Sequence, residues 1–291
     1  GVDIVIASSN PNYSLEFFEN NLDIVSIIRH GIGVDNIDVD AATKSGVIVV
    51  KVPGVIEREA VAEHTIALML ATIRKIPQAY LKVREGRWTE RVKSVGFELK
   101  GRTIGIIGLG NIGSRVAEIL VKGFGASVLA YDPYLPKDRI RELGATPADL
   151  DTLLKESEVI TLHCPLTKET YHILDENAFE KMRDGVVVIN TGRGELIDTS
   201  ALIKALEKGK LSCVALDVVE GEPIGRDHPL LKFENVIVTP HIAAYTFESL
   251  KGIDDHIVKA INSLLRGELP EGVVNKAVFE SKSLRLRRLL K

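Results

Sequence analysis

The run Thr103-Ile104-Gly105-Ile106-Ile107-Gly108-Leu109-Gly110-Asn111-Ile112-Gly113 decides the fold of this chain. Its first five residues are mostly β-branched and read as a strand. The glycines then open a helix with Ile112, Val116, Ile119 and Leu120 on one face. A G-x-G-x-x-G match alone is weak. Here it lies between strand and helix, and Asp132 ends the next strand about 20 residues on, the full dinucleotide fingerprint. Gly108 permits the tight turn, Gly110 admits the pyrophosphate to the backbone, and Gly113 lets helix and strand pack closely. The helix N-terminus then faces the phosphates. Asp132 accepts hydrogen bonds from ribose hydroxyls and repels a 2′-phosphate, and no Arg directly follows it. NAD is therefore favoured over NADP.

Outward from this run, β-branched stretches at 103–107, 127–131, 158–162, 186–190, 213–217 and 235–239 alternate with helical patterns. The alternation predicts a doubly wound, six-stranded parallel Rossmann sheet in an α/β fold, covered on both faces. Residues 1–96 have a different layout, with strands near 2–7, 24–28 and 47–52 and a long helix over about 58–75, which predicts a second, smaller α/β unit. Domains are thus expected at 1–96 and 97–245, with 246–291 supplying a helix over about 247–265 that returns to the first unit. The tail 283–291, with Lys and Arg around Leu, reads as a frayed amphipathic end.

A length of 291 residues suits two ordinary domains. With 45% hydrophobic and 26% charged residues the usage is that of a globular protein. Lys plus Arg total 37 against 40 Asp plus Glu, a net charge of −3, so broad electrostatic attraction to nucleic acid or anionic lipid is not expected. No apolar run approaches the ~20 residues of a bilayer span, so no membrane partner is expected. The N-terminus shows no secretory signal, and a cytoplasmic location is the expectation. Cys164 and Cys213 are the only cysteines and lack a metal-type spacing, so neither a disulfide framework nor a metal site is suggested.

Ligands of open α/β sheets bind beyond the carboxyl ends of the strands. The fourth strand ends Asn190-Thr191-Gly192-Arg193-Gly194, the fifth runs into Asp217 and a turn bearing Glu222-Pro223, and the sixth ends Thr239-Pro240-His241. Taken singly, such an Arg serves as a surface ion-pair partner and a Glu before Pro as a turn residue. Together, beside a dinucleotide fingerprint, they suit hydride transfer to a ketone next to a carboxylate. Arg193 offers a planar fork of donors, and His241 can give or take the proton. A buried Glu222 beside the ring would favour imidazolium and fix its orientation. His163 could line the cofactor, while His30, His64, His172, His228 and His256 read as helix or loop residues.

These motifs, with Leu216-Asp217-Val218 and Thr239-Pro240-His241-Ile242, resemble the D-isomer-specific 2-hydroxyacid dehydrogenases over nearly the whole chain. The resemblance implies Arg193 as the substrate-orienting residue, His241 as acid/base and Glu222 as its partner. It also implies cofactor contacts at Thr65, Asn111, Ile112, Cys164, Thr191, Gly192, Asp217 and Ala243. The smaller unit becomes a flavodoxin-like substrate domain that begins part-way through the family's pattern, so truncation at its N-terminus is expected. A loop matched here by Arg29-His30-Gly31-Ile32-Gly33-Val34-Asp35 would hold the substrate carboxylate on its backbone, with Arg29, Ile32 and Gly33 as contacts. Two close glycines also make that loop a plausible anion nest. Arg29 is open to two readings, a phosphate ligand or a rim charge. Arg29, the stretch 76–88 and Gly272-Val273-Val274-Asn275 are most similar to the family's phosphoglycerate branch. The implied substrates are small D-2-hydroxy or 2-oxo acids, 3-phosphoglycerate first and glyoxylate or hydroxypyruvate second. A non-catalytic NAD-sensing protein is the alternative on the same fold. A homodimer touching through 76–88 is expected. Ala243, where the family commonly has Gly, and a segment 53–63 one residue longer than the pattern are the departures.

Overall fold

The computed structural model describes residues 1–8 and 10–288. Contacts part the chain into two units, Gly1–Glu57 with Tyr245–Lys291, and Arg58–Ala244. In the smaller unit β1 (Ile4–Ala7), β2 (Ser26–Arg29) and β3 (Ile48–Val50) pair in parallel in that order. Side chains alternate between faces, as strand geometry dictates. Ile27, Val47 and Val49 pack with Phe18 of α1 (Leu15–Asn20) and Ala41 and Ala42 of α2 (Val39–Lys44). Ile28, Ile48 and Val50 pack instead with Ile253, Ile257, Ala260 and Leu264 of the returning helix, Phe247–Leu265.

The free edge of β3 is closed by the stretch 272–275. Val273 bridges Val50 in antiparallel sense. The buried Asn275 side chain accepts from Val49 N at 2.9 Å and donates to Val47 O at 2.9 Å, as a neighbouring strand would. The tail expected to fray is docked as far as Arg288: Arg285 is buried and donates to the carbonyls of Phe18, Asn21 and Ile24. A guanidinium can satisfy three carbonyls at once, which composition does not reveal. Residues 289–291 of that expected end lie outside the described residues.

The larger unit holds seven parallel strands, one more than expected: β4 (Thr103–Ile107), β5 (Ser127–Tyr131), β6 (Thr146–Pro147), β7 (Val159–Leu162), β8 (Val186–Asn190), β9 (Leu211–Leu216) and β10 (Val236–Val238). The addition, β6, is two residues long and ends in Pro. Such a strand is tolerated at a sheet edge and gives no hydrophobic period to read. The order β10-β9-β8-β7-β4-β5-β6 reverses direction between β4 and β7, which makes the crevice there the expected ligand site. Both faces are covered. Ile104, Ile106, Val187, Ile189 and Ala215 belong to one core, while Ile160, Leu162, Val186, Val188 and Val214 belong to the other.

The domain boundary expected at 96/97 falls instead at 57/58, inside α3 (Gly54–Ile73). The reason is packing. Ala62, Ile66, Met69 and Ile73, at helical spacing, share a core with Ile104 and Ile106, so the rest of α3 belongs to the dinucleotide sheet. α4 (Ile76–Arg84) and a 3₁₀ turn at Trp88–Ser94 follow, with no buried residue in either. No helix among the described residues is long and apolar enough to cross a membrane.

Candidate active site

Backbone geometry prepares the carboxyl end of β4 for a dinucleotide. Gly108 has φ +88°, and a Cβ there would lie 2.5 Å from Cys164 N. No other residue fits. A Cβ on Gly113 would lie 2.1 Å from Gly108 O, whereas one on Gly110 would meet nothing within 4 Å. Helix α5 (Asn111–Phe124) begins here without a side-chain cap, so the N–H groups of its first turn, from Asn111, Ile112 and Gly113, face outward toward an acceptor. Asp132 is pinned above the loop, accepting from Leu109 N at 2.9 Å and Tyr134 N at 3.0 Å. One bond to each oxygen leaves lone pairs for two vicinal hydroxyls. The glycine cradle, uncapped helix and pinned carboxylate fit a dinucleotide. Burial pushes the Cys164 thiol up to about 12 and His163 down to about 3, so both are neutral wall residues.

Asn190, fully buried at the end of β8, organises the next turn. Its Nδ2 donates to Arg193 O at 2.8 Å and its Oδ1 accepts from Gly192 N at 2.9 Å. Arg193 is half-buried, with Nη1 donating to Gly192 O at 2.7 Å. Thr65 and Thr191 are both buried and share a hydrogen bond of 2.8 Å. The adjacent strand ends are stitched together by Asp217 N donating to Asn190 O and Thr239 N donating to Leu216 O, at 2.8 and 2.9 Å. Arg193, Glu222 and His241 thus follow three neighbouring parallel strands, β8, β9 and β10.

His241 has a left-handed backbone, φ +54°. Its Nδ1 contacts Glu222 Oε1, and Glu222 Oε2 accepts from Val219 N at 3.1 Å. The contact leaves Nε2 as the ring atom available for proton transfer. Glu222 was expected to be buried, but its side chain is 36% exposed and His241 42% exposed. The carboxylate sits on a turn, and the Val219 N–H fixes it there without enclosing it.

Asp217, by contrast, is buried, and both its oxygens are engaged. Oδ1 accepts from Thr239 Oγ1 at 2.6 Å and Ile242 N at 3.0 Å and lies 3.4 Å from His64 Nε2, and Oδ2 accepts from Ala243 N at 2.8 Å. Burial acts to raise the Asp217 pKa, but the bonds from His64, Thr239, Ile242 and Ala243 together hold it below the ordinary value. Among the residues implied as cofactor contacts, Asp217 and Ala243 are therefore committed to each other. The sequence reading missed His64, filed as a helix residue, and the clamp role of Asn190. The adjacent pair His64-Thr65 inside a helix of apolar period was the available signal.

In the smaller unit β2 ends in Arg29, whose Nη1 donates to His30 O at 2.6 Å and Ala7 O at 3.3 Å. Ile32 and Gly33 are half-buried, and of the two glycines only Gly31 has a positive φ, +143°.

Comparison with known proteins bears on the same residues. The family model described as D-isomer specific 2-hydroxyacid dehydrogenase, NAD binding domain, matches residues 66–243. The chain is 45% identical over 278 residues to D-3-phosphoglycerate dehydrogenase of Archaeoglobus fulgidus, covering 96% of this chain and 52% of the relative. It is 39% identical to glyoxylate reductase of Thermococcus litoralis, covering 96% and 86%. The chain thus spans about half the length of the phosphoglycerate dehydrogenases it matches and most of the glyoxylate reductase. Among solved structures, D-lactate dehydrogenase of Aquifex aeolicus complexed with NAD and lactic acid superposes with a TM-score of 0.87 at 35% identity, over 94% of this chain and 86% of that one. Glycine cradle, Arg193 turn and His241–Glu222 pair all lie within the matched region, and the chain belongs to the D-isomer-specific 2-hydroxyacid dehydrogenase family.

Proposed function

We propose that this chain is an NAD-dependent oxidoreductase that moves a hydride between the nicotinamide and C2 of a small D-2-hydroxy or 2-oxo acid. The observation that carries the reading is the His241–Glu222 contact on a strand end beside Arg193 and the dinucleotide cradle. Bound nicotinamide supplies or accepts the hydride. His241 Nε2–H protonates the ketone oxygen in reduction and takes that proton back in oxidation, while Glu222 holds Nδ1 and offsets the ring's charge. Arg193 presents its guanidinium to the carboxylate and the neighbouring carbonyl oxygen. Gly108, Gly110, Asn111, Ile112 and Gly113 hold the pyrophosphate, and Asp132 the adenosine ribose. Thr65, Thr191 and Gly192 wall the nicotinamide side, while Cys164, against Gly108, lines the pyrophosphate turn.

3-Phosphoglycerate is the first choice of substrate, supported by the identity to the phosphoglycerate dehydrogenases. A second reading, glyoxylate or hydroxypyruvate reduction, is favoured by Arg29, whose Nη1 already bonds two carbonyls of its own chain. The loop 29–35 would hold the carboxylate in either case, through Ile32 and Gly33. NADH oxidation with 3-phosphohydroxypyruvate, hydroxypyruvate, glyoxylate and pyruvate separates these. Turnover of the phosphorylated acid at the highest kcat/KM is expected. NADH binding without turnover on any acid would leave an NAD-sensing protein instead.

A second copy of the chain is the partner we infer for α4 and the turn after it, where Trp88 is 67% and Val92 73% exposed. Trp88→Glu should then turn a sedimenting dimer into monomer, and a monomeric wild type would discard the inference. The two free, buried cysteines suit a reducing compartment, the cytoplasm.

A further inference from the structure

We propose that His64 is a positioning residue for His241, acting through Thr239 and Asp217; this rests on the dehydrogenase reading above. His64 lies within α3, one residue before Thr65, in a sequence region remote from the strand ends. Its Nε2 is 3.2 Å from Thr239 Oγ1 and 3.4 Å from Asp217 Oδ1, and the Thr239 hydroxyl donates to the same Asp217 oxygen. His64 and Thr239 therefore grip Asp217 from one side.

The same Asp217 also brackets His241. Its main-chain carbonyl accepts from His241 N at 2.8 Å, and its carboxylate accepts from the next two amides, Ile242 N and Ala243 N. A left-handed histidine persists only where its surroundings over-determine it. Here three consecutive amides converge on one residue, and that residue is a buried carboxylate that needs donors of its own. Glu222 sets the rotation of the ring, and the Asp217 bracket sets where the ring is carried. His64 completes the bracket without touching His241, so its loss should show in catalytic rate more than in ligand affinity.

The experiment compares His64→Leu and His64→Gln with wild type, reading kcat and KM for the 2-oxo acid, NADH affinity by fluorescence, and the imidazole ¹⁵N signals of His241 at fixed pH. His64→Leu should lower kcat by about 10²-fold, with KM and NADH Kd changing less than about threefold, as expected of a misplaced proton donor. His64→Gln, whose amide reaches the same oxygens, should recover at least about a tenth of wild-type kcat. The His241 signals should move in the Leu variant and return in the Gln variant. Unmoved signals, a loss carried by KM, or a Gln variant as poor as Leu would each overturn the proposal. If wild type turns over no 2-oxo acid, the dehydrogenase reading fails by itself, and the NMR comparison, which needs no substrate, still decides the coupling. Should His64→Leu not fold, Thr239→Val removes the same bridge from its other end and is read in the same way.

Discussion

At the carboxyl end of β4 the working groups are backbone amides and the spaces left by missing side chains, whereas at the ends of β8, β9 and β10 they are side chains held by other side chains. Gly108, Gly110 and Gly113 act within six residues of one another. His241 depends on Asp217, Glu222 and Thr239 and, through the last, on His64 from a different element. The first arrangement is local, and at Gly108 and Gly113 it leaves no room for a side chain. The second is distributed, so its members should differ widely in what their loss costs.

The largest effect should come from His241→Ala. Removing the proton donor should cut kcat for reduction by about 10³-fold while NADH titration stays near wild type. If both fall together, the two regions are not separable in the way their geometry implies. Gly108→Ala should do the reverse. A methyl within 2.5 Å of Cys164 N, on a left-handed backbone, should weaken NADH binding by roughly 30-fold or more, on the order of 2 kcal/mol, and the measurement is fluorescence titration of a folded variant. An unchanged affinity would mean that the cradle does not hold the pyrophosphate.

Asp132→Ala sharpens the contrast from within the first region. Loss of the carboxylate should weaken NADH about tenfold and relax the preference over NADPH by a similar factor. A variant that keeps its full preference would move discrimination elsewhere. The smallest effect is a pH dependence in the second region. Because the folded pKa of Asp217 is held below the ordinary 3.8, its contribution to stability is present above that value and is lost as pH falls through the folded pKa. Asp217→Asn should therefore flatten the fall of Tm with pH below 3.8 relative to wild type, and equal slopes would show that the carboxylate does not carry it.

Local determinants were legible in the amino-acid order and distributed ones were not. The fingerprint, six of the seven strand positions of the large sheet to within a residue or two, and the His241–Glu222 pair follow from short-range patterns. Three features did not. β6 is too short and too Pro-terminated to carry a period, and α3 is apolar on most of its faces, so no single stripe announces the sheet it packs against. Burial of Glu222 was inferred from its role, yet its turn leaves it open to solvent. The His64 contact belongs with these, because a helix residue meeting two strand ends across about 175 positions leaves no spacing to read.

Asn275 has a consequence for the molecule's behaviour in a crowded solution. An uncovered parallel strand such as β3 offers a row of peptide groups to any extended chain that drifts past, which is the opening step of sheet-to-sheet aggregation. Here one amide side chain, accepting from Val49 N and donating to Val47 O, imitates a peptide unit and occupies the template. The chain thereby ends the sheet with a short stretch, 272–275, whose main chain pairs with Val49 and Lys51 and whose Asn275 side chain serves the remaining groups of Val47 and Val49. Asp in its place could still accept but could not donate, so Val47 O would be left open to a foreign amide, and the symptom to look for would be turbidity on standing in a protein whose turnover is otherwise intact.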